Sequence, residues 1–368
     1  MAESTGSAGS VGVMGGRRPW RARGAAPWVA AAALAASGLA AAMGAPAGTG
    51  PAAAAPGARA NAGGAASPAA GADSRFAPVS GAYAVEAMNL DWFDQDRSRQ
   101  VPVRVYFPRH EPGPFPVVVF SSGLGAGRNN LEFLGRHLAS HGYVSVHVQH
   151  LGGDEQAAKK GAGARAAQIK AARDPGAALT RLLDLVFALD QVGALAANSP
   201  VLRGRIDLGA VAVGGNNLGA WTALAAAGLA VMGKDGEESS LPDPRVKAAL
   251  LLFPPPAATQ GGRMRFEHVK VPCLHVVGAP AGDRESDAPR APRRIAFDRI
   301  AGAGQVLVTM IGGAGPDRGM AMQDRLKVIS TAFLDASLRH DAAATSWLAG
   351  GGLAAYLGDG ARVETRAK

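Results

Sequence analysis

The chain has a single cysteine, Cys273, in 368 residues, so no disulfide can close within it. Cys273 lies in the apolar run Val271 to Val277, where burial and inertness are the expectation. Aromatic residues are also sparse, at 5%, and alanine supplies much of the 48% hydrophobic share. Acidic excess is absent: 38 Lys and Arg against 29 Asp and Glu leave a net charge of +9. Part of that charge sits before residue 79, and no cluster of Lys and Arg interleaves with aromatics, which argues against a nucleic-acid partner. Histidine is absent from a long stretch. The eight are His110, His137, His141, His147, His150, His268, His275 and His340, with none between 276 and 339.

The N-terminus has the anatomy of a targeting segment. Arg17, Arg18, Arg21 and Arg23 precede an uncharged stretch from Ala25 to Met43, and Ala45-Pro46-Ala47 offers small residues for cleavage. Residues 1–47 therefore read as a signal peptide for export to a periplasmic, cell-envelope or secreted location. The alternative is an uncleaved anchor with residues 25–43 in the membrane. Residues 48–78, rich in Ala, Gly and Pro, read as a disordered linker. A folded domain over 79–342 and a C-terminal tail over 343–368 complete the expected organisation.

Within the domain, strand and helix signals alternate. Tyr83–Trp92 and Val101–Phe107 read as an antiparallel opening pair. Phe115–Phe120 is wholly apolar, as a buried central strand should be. Leu179, Leu182, Leu183, Val186 and Leu189 recur at helical spacing. Residues 155–175, rich in Lys, Arg and Ala, read as a helical excursion with a solvated basic face. Further strands are expected at Tyr143–Val148, Ile206–Val213, Val246–Phe253, Val271–Val277 and Gln305–Ile311. A closing helix spans Asp317–Leu338, with Met320 and Met322 as packing residues. The fold class is α/β: a mostly parallel central sheet with helices on both faces.

Residues 211–222 run from an apolar strand through Gly215-Asn216-Asn217-Leu218-Gly219 into an Ala-rich helix. This is the layout of a G-x-S-x-G nucleophile elbow with Asn217 in the serine position. Asn tolerates the positive φ of such a turn, but its carboxamide has no hydroxyl for a base to activate. Three other stretches belong with it: Val101–Pro108, the strand and glycine loop Phe115–Gly127, and Leu138–Val144. Together they resemble the α/β-hydrolase superfamily, in the branch of esterases akin to platelet-activating-factor acetylhydrolase and dienelactone hydrolase.

The resemblance implies an α/β-hydrolase fold and a Ser, acid and His in that chain order, with no cofactor and no metal. The Ser position falls on Asn217, the residue before it is Asn216, and the His position falls on Pro316. The acid position falls on Ala281, with Asp283 two residues later as a displaced acid or a solvated loop residue. The oxyanion donors would be the amides of Leu124 and Leu218, with Gly123 in the glycine loop. Two such amides can hold a carbonyl or carboxylate oxygen of a small acyl ligand, although the glycines are equally explained by the turns they make. Ser122 is a possible displaced nucleophile, with His147 or His150 as its only local bases. His147, His150 and Asp154 match no strong metal spacing, because positions 147 and 150 face opposite sides of a strand. The expectation is an exported, ester-hydrolase-related protein with a degenerate triad that acts by binding a ligand or a partner. The alternatives are an ester hydrolase using a displaced nucleophile and a structural envelope protein.

Overall fold

A computed structural model describes residues 76–152, 163, 175–232, 236–257, 263–279, 291–302, 304–311, 315 and 319–366. The N-terminal segment, residues 48–75 of the linker and most of the basic excursion at 155–175 lie outside the described residues. So do Asp154, Ala281, Asp283 and Pro316.

Among the described residues, nine strands form one sheet. Val85–Asp94 (β1) and Arg99–Pro108 (β2) make the expected antiparallel hairpin at one edge. Strand β2 then pairs antiparallel with Val144–Val148 (β4). From β4 the sheet runs parallel through Phe115–Ser121 (β3), Ile206–Asn216 (β5), Val246–Leu252 (β8), Cys273–Gly278 (β10) and Gln305–Met310 (β11). A second sheet of three short strands, Ala230–Met232 (β6), Glu238–Ser239 (β7) and Met264–Arg265 (β9), was not signalled by the sequence pattern.

Helices cover both faces because the central strands are apolar on both. Along β3, Val117 and Val119 pack towards Pro175–Asn198 (α2) and Leu218–Ala226 (α3). Val118 and Phe120 face the opposite layer, built from Glu132–Ser140 (α1) and Met320–Leu338 (α5). Ala291–Arg299 (α4) packs over β10 and β11. This is the mostly parallel, two-sided α/β architecture expected from the alternating pattern.

Two readings change. Residues 343–368 are not merely a tail: Ala342–Ala349 (α6) and Gly352–Leu357 (α7) lead into Ala361–Arg366 (β12), which pairs antiparallel with β11. Charged residues flank Val363 in that strand, so it has no apolar run to announce it; pairing with β11 makes it a strand. Met322 is buried as expected, but Met320 is 79% exposed, because the first residue of α5 projects beyond the core.

Candidate functional site

Strand β5 ends at Asn216 and α3 begins at Leu218, so one residue, Asn217, makes the whole turn. Its backbone is at φ 55° and ψ −120°, a strained conformation for a residue with a side chain. The turn is tight because glycines allow it. A Cβ on Gly215 would collide with the Gly219 carbonyl, and one on Gly219 with the Ser121 carbonyl. The spacing of Gly215 and Gly219 about Asn217 is thus a steric requirement of strand-turn-helix packing. Asn217 is exposed at the C-terminal end of β5, where a nucleophile would stand.

The Asn217 side chain turns back on its own helix. Its Oδ1 accepts the Leu218 amide at 2.8 Å. That amide is the first of the two expected oxyanion donors, and it is already engaged. The second, at Leu124, lies in the loop after β3 and makes no hydrogen bond among the described residues. The loop leans on the elbow: a Cβ at Gly123 would sit 3.2 Å from the Asn216 carbonyl oxygen and 3.4 Å from Asn217 Cβ. Gly123, Leu124, Asn216, Asn217 and Leu218 are therefore brought together. Asn216 Oδ1 and Ser122 Oγ are both buried there without hydrogen-bond partners.

Beneath this loop lies a hydrogen-bond chain that starts from Ser121, one residue before the expected Ser122, and takes in Asp184, which the sequence did not single out. Ser121 Oγ is 2.9 Å from His150 Nε2, and His150 Nδ1 is 3.1 Å from Asp184 Oδ2 on α2. Asp184 also accepts from Arg97 Nη1 at 2.8 Å and from Arg99 Nε and Nη2 at 2.8 and 3.0 Å. Burial opposes the Asp184 charge, but the hydrogen bonds from His150 and Arg99 outweigh it and hold the carboxyl at about 2. Burial, with the Arg181 charge nearby, pushes His150 down to about 4. At neutral pH the pair is therefore a carboxylate and a neutral imidazole. The carboxylate fixes the proton on Nδ1, which leaves Nε2 to accept from the Ser121 hydroxyl.

The connectivity is that of a Ser-His-Asp triad. Its setting is different: Ser121, His150 and Asp184 are 0%, 2% and 0% exposed. Arg181, one turn from Asp184 on α2, lies beside it and donates through Nη2 to the Ser122 carbonyl.

Among the described residues, Ser122 has no histidine partner. Alternation along β3 and its exit sends Ser121 to the α2 layer and leaves Ser122 without one. His147 faces the other side, bonding Ser145 Oγ at 2.9 Å and the Asn130 carbonyl at 2.8 Å, so the two histidines are separated by the sheet as expected. Cys273 is buried, and burial pushes its thiol up to about 12. Among the described residues, no three His, Cys, Asp or Glu side chains cluster to hold a metal ion, and no helix is long and apolar enough to cross a membrane.

No curated protein matches the chain. Residues 97–168 match the family model described as platelet-activating factor acetylhydrolase, isoform II. That stretch contains Arg97, Arg99, the Ser121–Gly125 loop and His150; it ends before Asp184 and the elbow. With the mostly parallel two-sided sheet, this similarity supports relationship to an α/β-hydrolase-like esterase family.

Proposed function

We propose that this chain is an exported member of the ester-hydrolase-related α/β proteins that does not hydrolyse esters at its elbow. In this reading it acts by binding a small acyl or carboxylate ligand, or a partner. One observation carries the proposal: Asn217 takes the nucleophile position and its own Oδ1 fills the Leu218 amide. An attacking hydroxyl and an open oxyanion donor are both needed for acyl transfer. Losing the serine of a triad alone costs on the order of a million-fold in kcat. Pro316 and Ala281, in the His and acid positions of the family pattern, support the same reading from sequence. Export rests on the basic and apolar segments before Met43.

The test is hydrolysis of p-nitrophenyl acetate and butyrate by the purified chain, with labelling by a serine-directed phosphonate read by intact mass. Neither turnover nor adduct is expected from folded protein. Turnover with a one-to-one adduct overturns the proposal.

The Ser121–His150–Asp184 chain favours a second reading, in which Ser121 is the nucleophile. His150 Nε2 would take the Ser121 proton as Oγ attacks the acyl carbon, and Asp184 would stabilise the imidazolium. Burial of all three groups makes this the weaker reading, since no ester reaches Ser121 in the described conformation. An adduct abolished by Ser121→Ala but not by Ser122→Ala would establish it.

A further inference from the structure

Strands β10 and β11 run parallel and end beside α4 and the edge strand β12. Between them lies a cavity of about 210 Å³, lined by Val277, Gly278, Arg293, Arg294, Thr309, Arg362 and Glu364. The register explains the grouping: Val277 pairs with Thr309, and Thr309 pairs with Arg362. The cavity thus sits at the carboxyl ends of two parallel strands, where open α/β sheets receive their ligands. It is two strands from the elbow's strand, β5.

We propose that this cavity is a binding site for a small anion bearing a phosphate or carboxylate group, with Arg293 as its principal contact. Three guanidinium groups line it against one carboxylate. That carboxylate is already committed. Glu364 Oε1 and Oε2 accept from Arg294 Nη1 and Nη2 at 2.8 and 2.9 Å, and Arg294 Nε bonds both Asp298 oxygens at 3.0 Å. Arg294 and Glu364 therefore form a closed, bidentate pair that frames the cavity.

Arg293 is different. It is half-buried, and among the described residues it makes no hydrogen bond or ion pair. Burial lowers its pKa, with no carboxylate among the described residues offsetting the loss of water. A guanidinium carries five donors in a planar fork and cannot shed its charge at neutral pH. Half out of water beside the cavity, it keeps donors that an incoming acceptor can take up. A phosphate or carboxylate presents oxygens that match the fork, and such charge-assisted bonds are among the stronger ones available. The site is separate from the elbow and stands whether or not the elbow hydrolyses esters.

The probes are inorganic phosphate and butyrate, titrated into the full chain at constant ionic strength with chloride as the balancing anion. Calorimetry and thermal melting are the readouts. Saturable binding of one probe or both is expected; phosphate alone or butyrate alone identifies which headgroup the cavity prefers. Arg293→Gln should weaken binding about tenfold or more, the loss expected for a charged hydrogen-bonding partner. Arg293→Lys should recover only part, because the charge returns without the fork. Arg109→Gln, on an exposed arginine outside the cavity, should bind as the parent does. Should Arg293→Gln fail to fold, Thr309→Val probes the same cavity from β11. Absence of saturable binding by either probe overturns the proposal, as does binding by Arg293→Gln at the parent's affinity.

Discussion

Asn217 holds the amide of Leu218 through its own side chain, Oδ1 to N at 2.8 Å. In the proposed reading, the residue in the nucleophile position thereby supplies the oxygen that a substrate carbonyl would otherwise bring. Restoring the hydroxyl alone should not restore catalysis. Asn217→Ser is expected to show no p-nitrophenyl ester turnover above buffer, because Pro316 leaves no base in the family position. Asn217→Ser with Pro316→His should turn over measurably. Full activity from Asn217→Ser alone would mean that another histidine serves, and would place the base elsewhere in the chain.

The same residue tests the backbone. At φ 55°, Asn is one of the few side-chain-bearing residues that is tolerated, and glycine is unstrained. Asn217→Ala should destabilise the fold by about 1 kcal/mol, whereas Asn217→Gly should be close to neutral. Urea midpoints of the two variants make the comparison. Equal losses in both would point to the Leu218 hydrogen bond rather than the turn as the stabilising element.

Asp184 carries more. It is fully buried and accepts from His150, Arg97 and Arg99. Replacing it by alanine leaves two guanidinium groups without their shared acceptor and frees the His150 tautomer. A loss of about 3–5 kcal/mol is expected, the range for removing one partner of a buried ion pair. Asp184→Asn should lose less, since the amide oxygen still accepts one hydrogen bond. Chemical denaturation reads both; an unchanged midpoint in Asp184→Ala would remove this cluster from the account of stability.

Acid should weaken the fold before most carboxylates titrate. His137, His147, His150 and His275 are buried, and burial lowers them from 6.5 to about 3, 4, 4 and 4. Below 6.5 the unfolded chain binds protons at these positions while the folded chain does not. Stability therefore falls as pH drops from 6.5 towards 4, by up to about 1.4 kcal/mol per pH unit for each histidine. Asp184 acts lower: its folded value of about 2 lies below its ordinary 3.8, so its contribution is retained above that and lost as pH falls through 2. Urea midpoints at pH 7, 6 and 5 should decline steadily. A flat profile across that window would mean the histidines are not kept neutral by the fold.

The elements that the sequence declares are those whose residues answer to their neighbours in the chain. β3 is apolar from Phe115 to Phe120, and the elbow is a glycine spacing that its tight turn requires. The buried relay is harder to see because its parts come from three elements and its logic is spatial. Ser121 continues the phase of Val117 and Val119 towards α2, whereas Ser122 breaks it; pleat parity was the available signal. Asp184 sits among Leu182, Leu183 and Leu185, and a carboxylate within an apolar helical stripe was the other signal. Strand β12 left none, since an edge strand can be made by its partner alone.

The partition of the two serines has a consequence for how this loop tolerates change. Ser121 stands opposite Val148 on β4 and Gly215 on β5, and that pairing alone puts its hydroxyl on the histidine side. A one-residue deletion or insertion between Val117 and Ser121 would reverse every side chain beyond it. Phe120 or Ser122 would then be presented to His150, and the valines would change layers with them. Which hydroxyl is wired to the imidazole is a matter of counting along the strand, so length polymorphism here would be felt as rewiring rather than as a longer loop.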